Sequence, residues 1–216
     1  MVKIAPSILA ADPLNLERDA RRMEEAGCDW IHVDVMDAHF VPNLAYTPDV
    51  VRRLRQTISV PLDVHLMMDH PETLLDAFLD AGADILTIHS EADVSAEEMI
   101  RRIHSRKIRA GIAIKPRTDP ESIRGVLDQA DLILTMTVEP GFGGQKLDEH
   151  VPAKMKKLRE MGYRGWIEAD GGIDEGNLPH LIACGLDVAV MGTALFRDKD
   201  PSALISRLHG LGDKRE

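Results

Sequence analysis

Trp30-Ile-His-Val-Asp-Val-Met-Asp-Ala-His-Phe-Val-Pro-Asn43 opens as an apolar, β-branched run, the composition of a buried strand. Side chains on a strand alternate between faces, so His32, Asp34 and Met36 point one way and Ile31, Val33 and Val35 the other. An imidazole and a carboxylate therefore share one face of an otherwise apolar segment. Burying a lone carboxylate costs several kcal/mol or more unless a cation or hydrogen bonds meet it. Two readings stay open on this stretch alone: a salt-bridged core pair with a stray histidine, or half of a metal site.

Outward from it, short apolar runs alternate with longer amphipathic ones. Strands are expected at 3–8, 30–36, 61–67, 84–89, 108–115, 132–138, 166–170 and 187–191. Helices are expected at 13–26, 48–56, 71–81, 95–105, 120–128, 150–161, 175–184 and 201–211. Asp12-Pro13, Thr47-Pro48, His70-Pro71, Asp119-Pro120 and Asp200-Pro201 put proline near a first helical position. An internal echo, Ala26-Gly-Cys-Asp29, Ala81-Gly-Ala-Asp84 and Cys184-Gly-Leu-Asp187, stands between a helix and the next strand, with glycine where a helix end needs a left-handed residue. Eight β-then-α units with short links and no linker-like segment predict an α/β fold with a parallel sheet, and eight is the number that closes a (β/α)8 TIM barrel. The whole chain, 1–216, reads as a single domain, with 213–216 as a frayed tail.

Bulk composition narrows the function. At 216 residues, 44% hydrophobic and 29% charged, this is an ordinary globular chain of barrel length. A net charge of −10 with no cluster of Lys or Arg argues against nucleic acid or an anionic membrane as partner. It leaves a phosphorylated substrate open, because backbone amides bind phosphate without net positive charge. Cys28 and Cys184 stand far apart with no CxxC, so a reducing cytoplasm is the expectation. The N-terminus lacks the layout of a signal peptide, and no apolar run approaches membrane length.

A (β/α) barrel places its chemistry at the C-terminal ends of the strands. The first strand there offers Ser7, the second His32, Asp34 and Met36, the third Asp63, His65 and Met67 on one face, and the seventh Asp170. His32, Asp34, His65 and Asp170 can thus converge at the mouth. Two imidazoles and two carboxylates suit Zn, Fe, Mn or Co as one divalent metal ion better than Ca or Mg. Histidines in matching positions on two strands favour the metal over satisfied core residues. His89 reads as a core or rim residue or as support for the site, and His39, His104, His150 and His209 as loop or helix residues. Val138-Glu-Pro-Gly-Phe-Gly-Gly-Gln145, Asp170-Gly-Gly172 and Met191-Gly-Thr193 put glycines at three neighbouring strand ends. There backbone N–H groups can face an anion, with a short helix at Thr193–Phe196 nearby. Met36, Met67 and Met136 read as a flexible apolar wall that keeps water from a reactive intermediate, against the bland alternative of core filler.

Taken together, Ile4-Ala-Pro-Ser-Ile-Leu-Ala-Ala-Asp12, His32-Val-Asp-Val-Met-Asp37, His39-Phe-Val-Pro-Asn43, Leu62-Asp-Val-His-Leu-Met67, Pro140-Gly-Phe-Gly-Gly-Gln145 and Asp170-Gly-Gly-Ile173 closely resemble the ribulose-phosphate 3-epimerase family, in order and over essentially the whole chain. The resemblance implies a TIM barrel of the ribulose-phosphate-binding type. It implies an isomerase of carbohydrate metabolism that interconverts D-ribulose 5-phosphate and D-xylulose 5-phosphate through a 2,3-enediolate, with one divalent metal. It also implies Asp34 and Asp170 as acid/base pair, and Ser7, His65, Gly141, Phe142, Gly143, Gly144, Asp170, Gly171, Gly172, Gly192 and Thr193 around the sugar phosphate. A homo-oligomer is expected on the same ground.

Four departures bear on substrate choice. Ala38 stands where the family usually has glycine, Lys115-Pro116 replaces Asn-Pro, Thr193 replaces serine, and the Ala45-Tyr46-Thr47 loop differs. A changed second loop leaves a ketohexose 6-phosphate such as D-allulose 6-phosphate as the alternative substrate. A Schiff-base aldolase using Lys115 and a non-catalytic sugar-phosphate binder are rival classes. The first would leave the metal set unexplained, the second the two acids.

Overall fold

Parallel strands rich in Val, Ile and Leu bury both faces in α/β folds, a closed barrel wrapped by helices among them. The computed structural model, which describes residues 1–212, has that architecture. In chain order its elements are β1 (Lys3–Pro6), α1 (Leu16–Glu25), β2 (Ile31–Asp37), β3 (Leu44–Ala45), α2 (Pro48–Thr57), β4 (Leu62–Met67), α3 (Leu75–Ala81), β5 (Ile85–His89), α4 (Ala96–Ser105), β6 (Arg109–Ile114), β7 (Leu132–Met136), α5 (Pro152–Glu160), β8 (Trp166–Asp170), α6 (Leu178–Ala183), β9 (Val188–Met191), α7 (Thr193–Phe196) and α8 (Pro201–Gly212). The eight long strands pair in parallel in the order β1-β9-β8-β7-β6-β5-β4-β2, and a parallel bridge from Ser7 to His32 closes the ring. The expected tail at 213–216 lies outside the described residues.

The departures from expectation are local. β3 is an additional two-residue strand, antiparallel to β2 and inside the loop that follows it. The run at 120–128 forms a 3-10 helix, Pro120–Val126, and 71–81 splits into a 3-10 turn, Pro71–Thr73, before α3. Pro13 does not open a helix; Asp12 turns the chain by accepting from Leu14 N–H, and α1 starts at Leu16. β1 stops at Pro6 because the Ser7 hydroxyl accepts from Leu9 N–H and starts a 3-10 turn, Ile8–Ala10.

The glycines of the echo behave as their positions require: Gly27, Gly82 and Gly185 all have positive φ, at 90°, 102° and 104°. Each aspartate two residues later does further work. Asp29, Asp84 and Asp187 accept from the backbone N–H groups of Ile4, Leu62 and Ile167, at 2.8, 2.8 and 2.9 Å. Asp131 does the same for Ala110 at 2.9 Å. Four carboxylates thus tie each even barrel strand's approach to the start of the strand before it, and His209, Arg55, Arg159 and His104 respectively partner them. At the same end Trp30 and Trp166 pack with centroids 4.8 Å apart, under the ammonium of Lys3 and the guanidinium of Arg109. The N-terminal end of the barrel is braced and plugged. The C-terminal end is left for the site.

Candidate active site

The two-residue period of β2 and β4 sends His32, Asp34, His65 and Met67 into the barrel, and pairing in register sets Asp34 beside His65 and Met36 beside Met67. Asp170 ends β8, which β1 and β9 separate from β2, so the two carboxylates face each other across the mouth. The ligand atoms of His32, Asp34, His65 and Asp170 all lie within 4.8 Å of one another. Asp34 Oδ1 is 3.4 Å from His32 Nε2 and 3.6 Å from His65 Nδ1. Donors bound at 2.0–2.1 Å in adjacent positions around one ion sit about 3–3.5 Å apart, so this spacing fits a transition-metal ion.

The surrounding hydrogen bonds support that fit. His32 and His65 are completely buried, and His32 Nε2 and His65 Nδ1 have no hydrogen-bond partner among the described residues. The other nitrogen of each ring is engaged. His32 Nδ1 lies 2.6 Å from Asp63 Oδ2, and His65 Nε2 lies 2.9 Å from His89 Nε2. An imidazole whose far N–H is fixed keeps its near lone pair aimed at one point, the arrangement of metal-ligating histidines. A second group, His32, Asp63 and Glu168, also clusters, but there Asp63 is already bonded to the imidazole.

The two carboxylates are driven apart electrostatically. Burial works against the Asp34 charge, yet the imidazoles, His32 foremost, hold its carboxyl far below the usual carboxylate range. The Ser7 hydroxyl donates to its Oδ2 at 2.5 Å. Burial, reinforced by the Asp34 charge, pushes the Asp170 carboxyl up to about 7. Burial opposes a proton on His32; without a cation in the cluster Asp34 and Asp63 favour one there, and a bound metal would displace it. Beneath them, burial and the neighbouring Asp63 charge keep Glu168 protonated well above the usual range. Two carboxyls of opposite proton affinity over one donor cluster are what an acid/base pair requires.

Above this floor opens a cavity of about 1090 Å³. Ser7, Asp34 and Asp170 line its base, and Met36, Met67 and Met136 line its wall. Met36 and Met67 also pack on Val41 and Phe40, so the wall continues into the loop after β2. At the other side lie Gly141, Phe142, Gly143, Gly144, Gly171, Gly172, Gly192 and Thr193, every glycine expected there. His32 and His65 sit behind the base rather than on the cavity surface. Gly172 has φ +65°, and a Cβ on it would lie 2.4 Å from Leu147 N and 2.8 Å from Gln145 O. Gly171, at φ +120°, meets Val138 as closely. The segment after β7 is therefore seated directly on the tip of β8, an approach only glycine permits. Phe142 stands on the rim, 55% exposed. Lys115 does not line the cavity; its ammonium rests 3.8 Å from the Phe40 ring centre, which removes the basis for a Schiff-base role.

The model of the ribulose-phosphate 3 epimerase family matches residues 3–196. The chain belongs to that family. The ribulose-phosphate 3-epimerase of Bacillus subtilis is 40% identical to it over 97% of this chain and 99% of that one. The ribulose-phosphate 3-epimerase of Rhodobacter capsulatus is 46% identical over 91% and 86%. Among solved structures, orotidine 5′-phosphate decarboxylase from Pyrococcus horikoshii superposes with a TM-score of 0.72 at 14% identity, covering 97% of this chain and 99% of that one. A 3-hexulose-6-phosphate synthase gives 0.69 at 20% identity over 98% and 99%. These two share the barrel. The family membership makes this chain an isomerase, and the His/Asp cluster is one that could hold a metal. No helix among the described residues is long and apolar enough to cross a membrane.

Several residues of this epimerase-family site escape a reading of the sequence. Asp63 shares a strand face with His65, a signal that was visible but silent about its partner. Glu91 touches His89 across one turn, and Asn177, His180 and Arg197 reach the glycine end of the cavity from segments with no motif.

Proposed function

We propose that this protein interconverts D-ribulose 5-phosphate and D-xylulose 5-phosphate, with one of Asp34 and Asp170 removing the C3 proton and the other delivering a proton to the opposite face. The observation that carries the reading is the pair itself: two carboxyls, Asp34 and Asp170, facing across one mouth over a shared donor cluster. Epimerisation beside a carbonyl needs a base on one face of C3 and an acid on the other. The ionised carboxylate removes the proton, leaving a 2,3-enediolate, and the protonated one returns a proton to the opposite face. The reverse reaction exchanges the roles.

His32 Nε2, Asp34, His65 Nδ1 and Asp170 would hold one divalent cation of the Zn, Fe, Mn or Co type. When bound, it supplies a Lewis acid that offsets charge on the enediolate oxygens and lowers the carboxyl pKa values. Ser7 fixes Asp34 through its hydroxyl, at 2.5 Å. The glycine-rich segments after β7, β8 and β9 offer N–H groups to the phosphate, with Thr193 adding a hydroxyl at the start of α7. Met36, Met67 and Met136 keep water from the enediolate.

A pentose substrate is favoured over a ketohexose 6-phosphate by the ribulose-phosphate 3-epimerases of Bacillus subtilis and Rhodobacter capsulatus that this chain resembles, and Ala38 does not disturb that reading. It adopts φ +61°, the left-handed backbone natural to glycine, so the loop keeps a glycine-like path despite the side chain. Activity on ribulose 5-phosphate should vanish on prolonged chelation and return with Zn²⁺, Co²⁺, Mn²⁺ or Fe²⁺. NMR turnover on ribulose 5-phosphate should exceed that on allulose 6-phosphate. Full turnover with no metal on elemental analysis would overturn the metal assignment, and faster turnover of the hexose the substrate assignment.

A further inference from the structure

His65 does not end at the barrel wall. Its Nε2 lies 2.9 Å from Nε2 of His89, on the neighbouring strand β5, and His89 Nδ1 lies 3.0 Å from Glu91 Oε2. Both rings are buried, which disfavours a charged imidazolium on either of them. The other Glu91 oxygen accepts from the backbone N–H of Lys115 at 2.8 Å and from the Thr118 hydroxyl. These contacts, with that of His89, hold the Glu91 carboxyl down at about 2 despite burial, so it is an acceptor only.

Proton counting along this line has one solution. The Glu91 carboxylate can only accept, so His89 carries its proton on Nδ1. His89 Nε2 is then a bare lone pair, so His65 must donate to it from Nε2. His65 Nδ1 is left unprotonated, aimed at Asp34 and at the space between the ligand atoms. We propose that Glu91 and His89 are positioning residues that fix His65 in the Nε2–H tautomer and so make its Nδ1 available to the metal, and that Glu91 does this from a seat on the segment after β6. The proposal rests on the reading of His65 as a metal ligand.

Glu91→Gln inverts the arrangement at nearly constant shape. The Lys115 N–H is a fixed donor and retains the amide oxygen opposite it, so the amide NH2 faces His89 Nδ1. His89 then becomes the acceptor there, carries its proton on Nε2, and donates to His65 Nε2. The His65 proton moves to Nδ1, where a metal should bind.

The test uses the full chain in metal-free form, with ¹⁵N-labelled histidine NMR to read tautomers and Co²⁺ titration by visible absorption to read affinity. Wild type should show His65 as Nε2–H and His89 as Nδ1–H. Glu91→Gln should reverse both and weaken Co²⁺ binding about 10–100-fold. Thr118→Val, which removes only the hydroxyl latch, should leave tautomers and affinity as in wild type while lowering Tm. A wild-type His65 protonated on Nδ1 overturns the proposal, even if no variant folds. So does Glu91→Gln with wild-type Co²⁺ affinity while His65→Asn loses it. If His65→Asn also binds Co²⁺ as wild type does, the metal reading beneath the proposal is what fails.

Discussion

Gly172→Ala is the sharpest probe of the glycine-lined end of the cavity. At φ +65° an alanine pays the left-handed backbone cost of roughly 1–2 kcal/mol. Its Cβ would also stand 2.4 Å from Leu147 N and 2.8 Å from Gln145 O, both backbone atoms that no rotamer change can move. Ordinary contact begins at 3.4 Å, so the Gln145–Leu147 backbone must retreat by about 1 Å. Displacements of about 1 Å in groups that position a substrate can cost on the order of 100-fold. The strain alone should lower Tm by about 2–8 °C for a chain of this size. Steady-state kinetics on ribulose 5-phosphate and competition by inorganic phosphate read the functional part. KM and the phosphate inhibition constant should rise together by one to two orders of magnitude, roughly, with kcat affected less. Gly143→Ala is the control, because a Cβ there meets nothing within 4 Å and its φ is not in the left-handed range. A Gly172→Ala protein with lowered Tm but unchanged KM and phosphate inhibition would refute a phosphate site at these loops.

Three further outcomes follow from the geometry. In the metal-free protein Asp170 is raised to about 7 against an ordinary value near 3.9, so its contribution to stability is complete below about pH 4 and lost as pH rises through 7. Urea unfolding of the metal-free protein should therefore show less loss of stability between pH 5 and 8 in Asp170→Asn than in wild type; parallel curves would contradict it. Ala38→Gly relieves a left-handed alanine, worth about 1–2 kcal/mol, partly offset by roughly 0.5–1 kcal/mol of unfolded-chain entropy, so a small rise in Tm is expected and a fall would count against the strain. Trp30→Ala, which empties half of the aromatic plug, should cost about 3–5 kcal/mol in denaturant unfolding while kcat of the folded enzyme stays at wild type; a changed kcat would show that plug and mouth are coupled.

How much of this is legible in the sequence depends on whether the relevant physics is periodic. The alternation of His32, Asp34 and Met36, and of Asp63, His65 and Met67, follows from strand geometry alone, and both sets do enter the barrel. The echo glycines announce helix ends, and all three have the positive φ that the role needs. Their aspartates announce nothing, since their work is to hold the N–H of a strand some 20 residues earlier, and Asp131 does it with no glycine before it. Pro120 correctly marks the start of a turn, but whether the turn continues as α or 3-10 is decided by how it packs, which a local signal does not carry. The His65–His89–Glu91 line is legible only in part: His89 reads as support for the site among other roles, but its contact with His65 on a neighbouring strand has no period in sequence.

The central claim is that one of Asp34 and Asp170 removes the C3 proton of the ketose phosphate and the other delivers a proton from the opposite side. Its most direct test is the rate at which solvent deuterium enters C3 of ribulose 5-phosphate, followed by NMR in deuterated buffer with wild type, Asp34→Asn and Asp170→Asn, each checked for folding by circular dichroism. Wild type should incorporate deuterium during turnover, and each variant should lose epimerisation altogether. Deuterium exchange at the wild-type rate in both variants would show that other groups carry the proton.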